Sequence, residues 1–479
     1  MDTLAFEHHL TSPQGEGHMP ENACTVTGVG GACGDSVSFS IATDGQRVTD
    51  AGFTADGCGA THAAGSAAVS LIRGAGLLDA ARVTPAAIAA ELGGLSPAKF
   101  HAADVAAEAL ARSLGAAVRA HGALAGPAGP PTRRTLVAMS GGVDSSVAAL
   151  LCASEGEAVA VTLELWADPE NDAEKSCCSS SAVAQARALA HRLGLPHFTL
   201  DLREEFRAGV VEPFIAAYAA GETPNPCVGC NGHVRLDAML ELAARLGCDT
   251  LATGHYARVQ DGLLRTAADP AKDQTYMLAA LAPDSLARMR FPLGDYEKPR
   301  VRAIAAEHGL PVASKVDSQD LCFLAGTDRG RFLARHGGVV ARPGQIVDSD
   351  GNALGTHDGH ELFTVGQRRG LGVAGGEPLY VLDKDAAANR VVAGPRERLL
   401  TSRVRVRGAR LHRDAARVDR VKLRYRSTPL RARISDSVGP GRHRELTLEL
   451  EEPVAGAAPG QLACLMDGEL IVGWATITR

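Results

Sequence analysis

The sequence is poor in aromatic residues, in lysine and in long apolar stretches. Aromatic residues make up 4% of the 479 residues, and only seven of the 49 basic side chains are lysines. No uncharged apolar stretch approaches the roughly 18 residues of a membrane-spanning helix, so we expect no membrane association. No basic segment followed by an apolar one stands near the N-terminus, so we expect no secretory signal and a cytoplasmic protein.

The rest of the composition is typical of a folded protein with several domains. Apolar residues make up 45% of the chain and the formal net charge is -6, which excludes a disordered or collagen-like chain. At roughly 150 residues per domain, the length predicts several domains. Thiols stay reduced in the cytoplasm, so we expect the 11 cysteines to serve chemistry, metal binding or packing rather than structural disulfides.

A segment rich in proline and glycine, residues 122–134, divides the chain, because this composition disfavours helices and central strands. Residues 1–121 combine a strand-like stretch with helical periodicity and predict a small α+β domain. Residues 135–336 alternate buried strands with helices, which predicts a parallel α/β sheet. Residues 337–397 and 398–479 contain short strands broken by turn residues, and they predict two β-rich domains, the second a β-barrel.

Charge is concentrated in residues 401–435, which hold twelve basic side chains and two acidic ones. A strongly electropositive face in an acidic protein is typical of a phosphate-rich partner. A solvated, arginine-rich barrel surface is the alternative interpretation.

Residues 140–146 read SGGVDSS and stand between a predicted buried strand and a predicted helix. Small residues at this point let backbone N–H groups and the helix N-terminus approach an oligophosphate. The string lacks the GK[ST] of a Walker A loop. It resembles the signature of PP-loop ATP pyrophosphatases, which cleave ATP between the α and β phosphates, and the resemblance implies that Asp144 acts near Mg²⁺. A glycine turn capped by serines is the alternative.

Residues 223–231 read TPNPCVGCN. The two prolines predict a loop that holds Cys227 and Cys230, and a helix is predicted to begin after this loop, near Gly232. Two thiols at this spacing suit zinc, an iron–sulfur cluster, a redox pair or a sulfur-carrying nucleophile. No second CxxC completes a four-cysteine zinc site. Its sequence context makes Cys322 the candidate for a third thiol at this site. The alternative interpretation is that Cys322 is a buried cysteine of the core.

Six motifs follow one another in a fixed order: SGGVDSS, TPNPCVGCN, ATGHYAR, KDQTYML, SQDLCFL and FTVGQRRGLGV. In this order and spacing they resemble the MnmA family of tRNA-specific 2-thiouridylases, over roughly residues 134–479. The resemblance implies an enzyme that uses ATP to adenylate O2 of the wobble uridine, U34. Sulfur then replaces the oxygen, with release of AMP and pyrophosphate.

The resemblance also assigns roles to residues. Cys230 is implied as the nucleophile and Cys322 as the persulfide carrier. ATP binding is implied for Ala138, Met139, Ser140, Gly141, Gly142, Val143, Asp144, Ser145, Leu163 and Gly254. Contact with tRNA is implied for Asn225, Pro226, Cys227, His255, Lys272, Asp273, Gln274, Arg424, Tyr425 and Gln461. We expect Asn225, Pro226 and Cys227 to surround the extruded uridine. A polar strand-end contact for His255 and a solvated turn at residues 272–274 are the alternatives.

Cys227 departs from the family pattern, because many relatives carry aspartate there. The three thiols of Cys227, Cys230 and Cys322 would suffice to hold a [4Fe-4S] cluster with one iron open to sulfide. The cluster and the persulfide remain alternative sulfur sources. The adjacent Cys177 and Cys178 are interpreted as structural, with a sulfur relay as the alternative.

The segment before the linker resembles a different family. GACGDSVSF, DGCGATHAAGSAA and SPAKFHAADVAAEAL resemble the NifU/IscU iron–sulfur scaffold domain. The implied ligands are Cys33, Asp35, Cys58 and His101, while Ala102 occupies the position of a third cysteine. These four side chains suit tetrahedral Zn²⁺. The alternatives are an iron–sulfur site completed by Cys24, if the N-terminal arm folds back, and a metal-free module that docks a cysteine desulfurase.

Three functions therefore compete. The favoured one is a tRNA 2-thiouridylase with its own sulfur-supply domain, and the others are a PP-loop ligase for a small molecule and a non-catalytic iron–sulfur or sulfur carrier. The basic segment and the distant cysteines argue against a small-molecule ligase, and an intact SGGVDSS argues against a carrier.

Overall fold

The computed structural model describes residues 3–29, 34–126, 133–168, 179–317, 321–324, 326–340, 342–373 and 377–479. Four folded regions follow one another along this part of the chain. Within these ranges, no helix combines the length and apolarity needed to cross a membrane.

The first region is an antiparallel sheet of three strands covered by helices, as predicted. Its elements are α1 (Thr3–Thr11), β1 (Cys24–Val29), β2 (Ser36–Thr43), β3 (Val48–Asp56), α2 (Gly59–Ile72), α3 (Leu77–Ala80), α4 (Pro85–Glu91) and α5 (Phe100–His121). Helix α5 lies directly on the sheet, since a Cβ on Gly28 of β1 would lie 2.5 Å from the Cβ of Ala109. Farther along α5, the Ser113 hydroxyl donates to the carbonyls of Val26 and Phe39 at 3.3 Å.

The second region holds a five-stranded parallel sheet with the order β10-β7-β4-β5-β6, which confirms the predicted α/β class. Its elements are β4 (Arg134–Ala138), α6 (Val143–Glu155), β5 (Glu157–Glu164), α7 (Ser180–Arg192), β6 (His197–Asp201), α8 (Arg203–Phe206), α9 (Glu212–Ala219), α10 (Pro226–Gly229), α11 (Leu236–Arg245), β7 (Thr250–Ala252), β8 (Arg258–Gln260), β9 (Leu263–Arg265), α12 (Thr275–Leu278), α13 (Pro283–Leu286), β10 (Met289–Arg290), α14 (Lys298–Glu307) and α15 (Arg329–Gly337). The carboxyl ends of β4, β5 and β7 meet at one edge, where open α/β sheets bind ligands.

The prediction of a loop around Cys227, with a helix starting near Gly232, was wrong. Helix α10 begins at Pro226 and continues into a π-helical turn, Cys230–Arg235. Proline is tolerated at the first helical position, where no N–H is needed. The Asn225 side chain caps the helix by accepting a hydrogen bond from the Cys227 N–H at 3.1 Å.

Strand β7 ends where the ATGHYAR motif begins. Strand β7 ends at Ala252, and regular pairing resumes only at Arg258 in β8. Between them the chain turns at Gly254, where a Cβ would lie 2.7 Å from the backbone N of Ser145. The close approach to α6 therefore interrupts the strand.

The two β-rich regions follow as predicted. The first holds β11 (Gly344–Val347), β12 (Ala353–His357), β13 (Tyr380–Asp385) and β14 (Arg390–Gly394), in the order β12-β11-β14-β13. The second holds β15 (Leu400–Leu411), β16 (Arg420–Lys422), β17 (Leu430–Ile434), β18 (Gly441–Ala455), β19 (Leu462–Asp467) and β20 (Leu470–Ile477). Strand β15 pairs with both β18 and β20, which closes a barrel of six strands.

The basic segment, residues 401–435, runs through β15, β16 and β17. Many of its arginines pair with acidic residues, and these pairs are Arg403 with Glu449, Arg407 with Glu222, Arg417 with Asp467, Arg431 with Asp419 and Arg433 with Glu449. The positive face of the barrel is therefore weaker than the local sequence predicts, because the partners come mostly from other segments.

Candidate nucleotide and sulfur-transfer site

The turn between β4 and α6 is formed by Ser140, Gly141 and Gly142. Gly141 has a φ of +68°, which favours glycine, and a Cβ there would lie 3.0 Å from the carbonyl oxygen of Ala182. The Ser145 hydroxyl accepts from the Ser140 N–H at 3.1 Å and donates to the Gly142 carbonyl at 3.2 Å. The closed turn leads into the N-terminus of a 13-residue helix, an arrangement that binds phosphate.

The other residues predicted to bind ATP lie around this turn. They are Ala138 and Met139 after or at the end of β4, Val143 at the start of α6, Leu163 near the end of β5 and Gly254 after β7. The Met139 N–H donates to the Val161 carbonyl at 2.8 Å, which continues the pairing of β4 with β5. The structure thus brings the predicted ATP-binding residues to one edge of the sheet.

Two side chains hydrogen-bond to Asp144, in the first turn of α6. The family resemblance assigned neither of them to nucleotide binding. The Lys298 ammonium donates to both carboxylate oxygens of Asp144 at 2.8 Å. The Tyr256 hydroxyl donates to the same carboxylate at 2.8 Å. Burial, and then the charge of Asp144, raise the pKa of Tyr256, so this hydroxyl stays protonated and remains a donor.

A second carboxylate, that of Asp317, shares the same lysine. Lys298 Nζ lies 2.8 Å from Asp317, and its side chain is only 9% exposed. Lys272 donates to Asp317 at 2.7 Å and Arg302 donates to it at 2.9 Å. Burial raises the pKa of Asp317, but the hydrogen bonds from Lys272 and Lys298 outweigh burial and lower it. These two aspartates with Lys272, Lys298 and Arg302 form what we call the lysine–aspartate cluster.

A third lysine reaches the turn from the other side. The Lys315 ammonium donates to the Gly141 carbonyl at 3.0 Å and to the Gln185 side chain at 2.6 Å. Lys272, Lys298 and Lys315 therefore supply positive charge around a loop that has no lysine of its own. This is the electrostatic setting that an oligophosphate requires.

The KDQ motif, predicted to contact tRNA, is a junction within the protein. Lys272 belongs to the lysine–aspartate cluster, and the Gln274 side chain accepts from the Tyr256 N–H at 3.0 Å. Asp273 is 8% exposed and lies 3.3 Å from Lys422 of the barrel. The solvated-turn alternative is therefore wrong for Asp273, which ties the barrel to the nucleotide site.

His255 lies beside this junction. Its Nδ1 is 2.8 Å from the Thr253 hydroxyl, and its ring packs edge-on against Phe291. Burial, with a smaller effect of Arg235, lowers the pKa of His255 to about 3. The ring is therefore neutral near pH 7, and any contact it makes with RNA is a hydrogen bond rather than an ion pair.

The remaining residues predicted to contact tRNA come together where α10 meets the barrel. The Gln461 side chain donates to the Thr223 carbonyl at 2.7 Å, two residues before Asn225. Burial raises the pKa of Tyr425, and its ring centroid lies 6.3 Å from that of Tyr276 in α12. The Arg424 guanidinium, next to Tyr425 in sequence, donates to the Gly456 carbonyl at 2.5 Å.

A cavity of about 190 Å³ lies at the same junction. Its lining includes Asn225, Val228 and Gly229 from the α10 segment, and Leu462 and Trp474 from the barrel. The cavity has an apolar wall and a polar amide, which are the elements of a nucleobase pocket.

Cys230, predicted as the nucleophile, begins the π-helical turn and is 6% exposed. A π-helical turn is rare and is frequent at functional sites. A second π-helical turn, Arg207–Val211, packs against it, since a Cβ on Gly209 would lie 2.6 Å from the Val234 side chain. The turn that carries Cys230 is therefore stabilised by packing against a segment other than α10.

Cys322, predicted as the persulfide carrier, begins the short turn Cys322–Leu324 and is half-buried. The next residue, Phe323, is buried, and its ring centroid lies 5.1 Å from those of Phe214 and Phe332. This aromatic packing anchors the turn, while Cys322 itself lies at the edge of the core. The polar residues 318–320 before it lie outside the described residues.

The first region brings together three of its four predicted metal ligands. Ligand atoms of Asp35, Cys58 and His101 all lie within 4.8 Å of one another. The Thr61 hydroxyl donates to Asp35 at 2.6 Å. His101 Nδ1 lies 3.0 Å from the Ala98 carbonyl, so with the proton on Nδ1, Nε2 faces Asp35 at 3.4 Å as a ligand atom. Among the described residues, Nε2 is buried and has no hydrogen-bond partner, which fits a metal ligand.

The other predicted ligands do not complete this site in the described structure. Cys33, with Cys177 and Cys178, lies outside the described residues. Cys24 pairs with Ile41 at one end of β1, whereas Val29, at the other end, pairs with Ser36 beside Asp35. Five residues of strand separate the two ends by roughly 17 Å, so Cys24 cannot substitute for the missing ligand. Ala102 is fully buried in the core.

Among the residues that the structure describes, a second group of ligand atoms close enough to share one metal ion is not formed by Cys227, Cys230 and Cys322. A four-iron cluster holds its ligands farther apart than a single ion does, so the [4Fe-4S] hypothesis stays a prediction.

Known protein families match the whole chain in four segments. The NifU-like N terminal domain matches residues 4–120, the tRNA methyl transferase HUP domain residues 133–326, the tRNA methyl transferase PRC-barrel domain residues 330–395 and the aminomethyltransferase beta-barrel domain residues 397–477. These matches and the observed sheets agree on the class of each region.

Curated relatives match both the NifU-like and the catalytic parts of the chain. The bifunctional protein NifU/MnmA of Rubrobacter xylanophilus is 42% identical, over 98% of this chain and 97% of its own length. The tRNA-specific 2-thiouridylases MnmA of Chloroflexus aggregans and Thermus thermophilus are 44% and 42% identical over 72% of this chain, and the matches cover 98% and 95% of their lengths. The resemblance to both families is confirmed, and the chain belongs to the family of bifunctional NifU/MnmA proteins.

Proposed function

We propose that this protein is a tRNA-uridine 2-sulfurtransferase that converts U34 to 2-thiouridine at the expense of ATP. The observation that carries the proposal is the convergence of the phosphate-binding turn and the lysine–aspartate cluster at one edge of the sheet. The names of the MnmA relatives support tRNA as the substrate.

In the first step, O2 of the uridine attacks the α phosphorus of ATP and pyrophosphate leaves. The turn at residues 140–142 and the N-terminus of α6 bind the phosphates, and Lys298 and Lys272 offset the charge that develops on the leaving group. Asp144 would hold Mg²⁺, for which a carboxylate is a suitable ligand, and Lys298, which binds both of its oxygens in this structure, would release one of them to the ion. The ion when bound would further offset phosphate charge.

In the second step, the terminal sulfur of a persulfide on Cys322 attacks C2 of the adenylated uridine and AMP leaves. The Cys230 thiolate then attacks the Cys322 sulfur, which forms a disulfide between the two cysteines and releases 2-thiouridine. A thiol reductant restores both thiols, and a cysteine desulfurase or another donor reloads Cys322 with sulfur. A [4Fe-4S] cluster on Cys227, Cys230 and Cys322 is the competing sulfur source.

The experiment that tests the proposal measures AMP release from ATP with tRNA transcripts that carry either uridine or cytidine at position 34. We expect AMP to form with the uridine transcript and to fall to background with the cytidine transcript. AMP release that is independent of tRNA would favour the small-molecule ligase instead.

We also propose that Asp35, Cys58 and His101 hold a divalent ion such as Zn²⁺ in the NifU-like domain. The donor set is that of a zinc site with one position still open among the described residues. Replacing Cys58 with alanine is expected to lower Zn²⁺ affinity at least tenfold in a chelator competition, whereas Cys24→Ala leaves it unchanged. Equal affinity in both variants would remove Cys58 from the site.

A further inference from the structure

Helix α5 of the NifU-like domain is buried on two opposite sides. One side lies on its own sheet, through Ala109 and Ser113. The other side lies on β6, where a Cβ on Gly115 would come within 2.0 Å of the Thr199 carbonyl oxygen. Thirteen of the 22 residues of α5 are buried. Because it is buried on both sides, α5 is a central layer rather than a surface element.

The β6 side of this contact is an edge of the parallel sheet, because β6 is last in the strand order. Helix α5 packs along that edge, and Leu110 and Leu114 belong to the same buried core as Phe198 and Leu200 of β6. Two backbone-level contacts extend the interface: the Ala81 carbonyl accepts from the His197 N–H at 3.0 Å and lies 3.1 Å from the His191 ring.

Charged side chains at the interface are buried near charges of the opposite sign. Arg112 of α5 donates to both carboxylate oxygens of Glu164, at 3.0 and 3.1 Å, with the two side chains 17% and 8% exposed. On α7, Arg187 is 4% exposed and is attracted by Asp104 and Glu108 of α5. Each of Arg112 and Glu164 is therefore paired when the interface buries it, whereas burial of either charge without its partner would be strongly unfavourable.

We propose that β6, α7 and Glu164 form a docking surface for α5, so that the NifU-like domain is a permanently docked layer of the catalytic region rather than a mobile carrier on a flexible linker. This inference does not depend on the proposed reaction. Its consequence is that the Asp35–Cys58–His101 site, at the N-terminal end of α5, stays at a fixed distance from the nucleotide site. Sulfur or metal held there does not reach the catalytic cysteines by a swing of the whole domain.

The test is to insert a protease site into the linker at residues 127–132 of the full chain, to cleave the folded protein and to analyse it by size exclusion. We expect both fragments to elute together at the volume of the uncleaved protein. Fragments that elute separately at micromolar concentration would overturn the proposal.

Two variants make the test specific to this surface. Gly115→Leu introduces a side chain where there is no space, and Glu164→Arg places two arginines together; each is expected to raise the dissociation constant of the cleaved fragments at least tenfold. Adding Arg112→Glu to Glu164→Arg is expected to restore most of the affinity. The control Arg403→Glu reverses a charge on an exposed barrel residue and is expected to have no effect. Unchanged affinity in both Gly115→Leu and Glu164→Arg would contradict the assignment.

Discussion

Replacing either Cys230 or Cys322 with serine is expected to reduce 2-thiouridine formation about a thousandfold or more, because a hydroxyl neither carries a sulfane sulfur nor resolves a persulfide. ATP-dependent activation of the uridine does not use either thiol. We therefore expect both variants to retain exchange between pyrophosphate and ATP in the presence of tRNA. The measurement is quantification of 2-thiouridine after digestion of the tRNA, alongside the exchange rate.

Cys24→Ser is the matched control, since Cys24 lies in the first region and away from the nucleotide site. Cys227→Ala separates the two sulfur sources. If this variant loses iron and activity together, the sulfur comes through a cluster, and if an iron-free Cys227→Ala enzyme stays active, the persulfide route stands. Full thiolation by either Cys230→Ser or Cys322→Ser would contradict the proposed sulfur transfer.

Replacing Lys298 with glutamine is expected to lower kcat/KM for ATP about a hundredfold or more. The substitution removes the ammonium group between Asp144 and Asp317 and leaves two carboxylates facing each other beside the phosphate-binding turn. It also removes a positive charge that offsets the negative charge developing on the leaving pyrophosphate. A single group of this kind raises the rate about 10²–10³-fold. The measurement is steady-state AMP formation at saturating tRNA.

Arg300→Gln is the control for this variant, because Arg300 lies on the same helix and is half exposed in a pair with Glu307. Its activity is expected to remain near that of the parent protein. Thermal unfolding of both variants distinguishes a local electrostatic effect from loss of the fold. If folded Lys298→Gln retained activity within threefold, Lys298 would have no role beyond bridging the two aspartates.

The lysine–aspartate cluster could not be read from the sequence, because its members are distant along the chain. Lys298 and Asp144 are 154 positions apart, and Lys298 stands in no motif that marks a phosphate site. The sequence shows only that lysine is scarce, with seven in the chain. The structure is needed to show that Lys272, Lys298 and Lys315 all lie at this site.

The regular elements were predictable where local pattern and burial agree. Strands β4 and β5 are short apolar runs buried in a parallel sheet, and α5 and α7 show clear helical periodicity. The two errors have different causes. At Cys227 the proline content suggested a loop, although Asn225 followed by Pro226 is a local signal for the start of a helix. Strand β7 ends early because of a tertiary contact, the approach of Gly254 to α6.

The central claim is that ATP cleavage and sulfur insertion at U34 are coupled in this one chain. The most direct test is to incubate the protein with ATP, tRNA, cysteine and a cysteine desulfurase, and to count AMP and 2-thiouridine in the same reaction. We expect one 2-thiouridine at position 34 for each AMP released. AMP without 2-thiouridine, or 2-thiouridine without ATP, would contradict it.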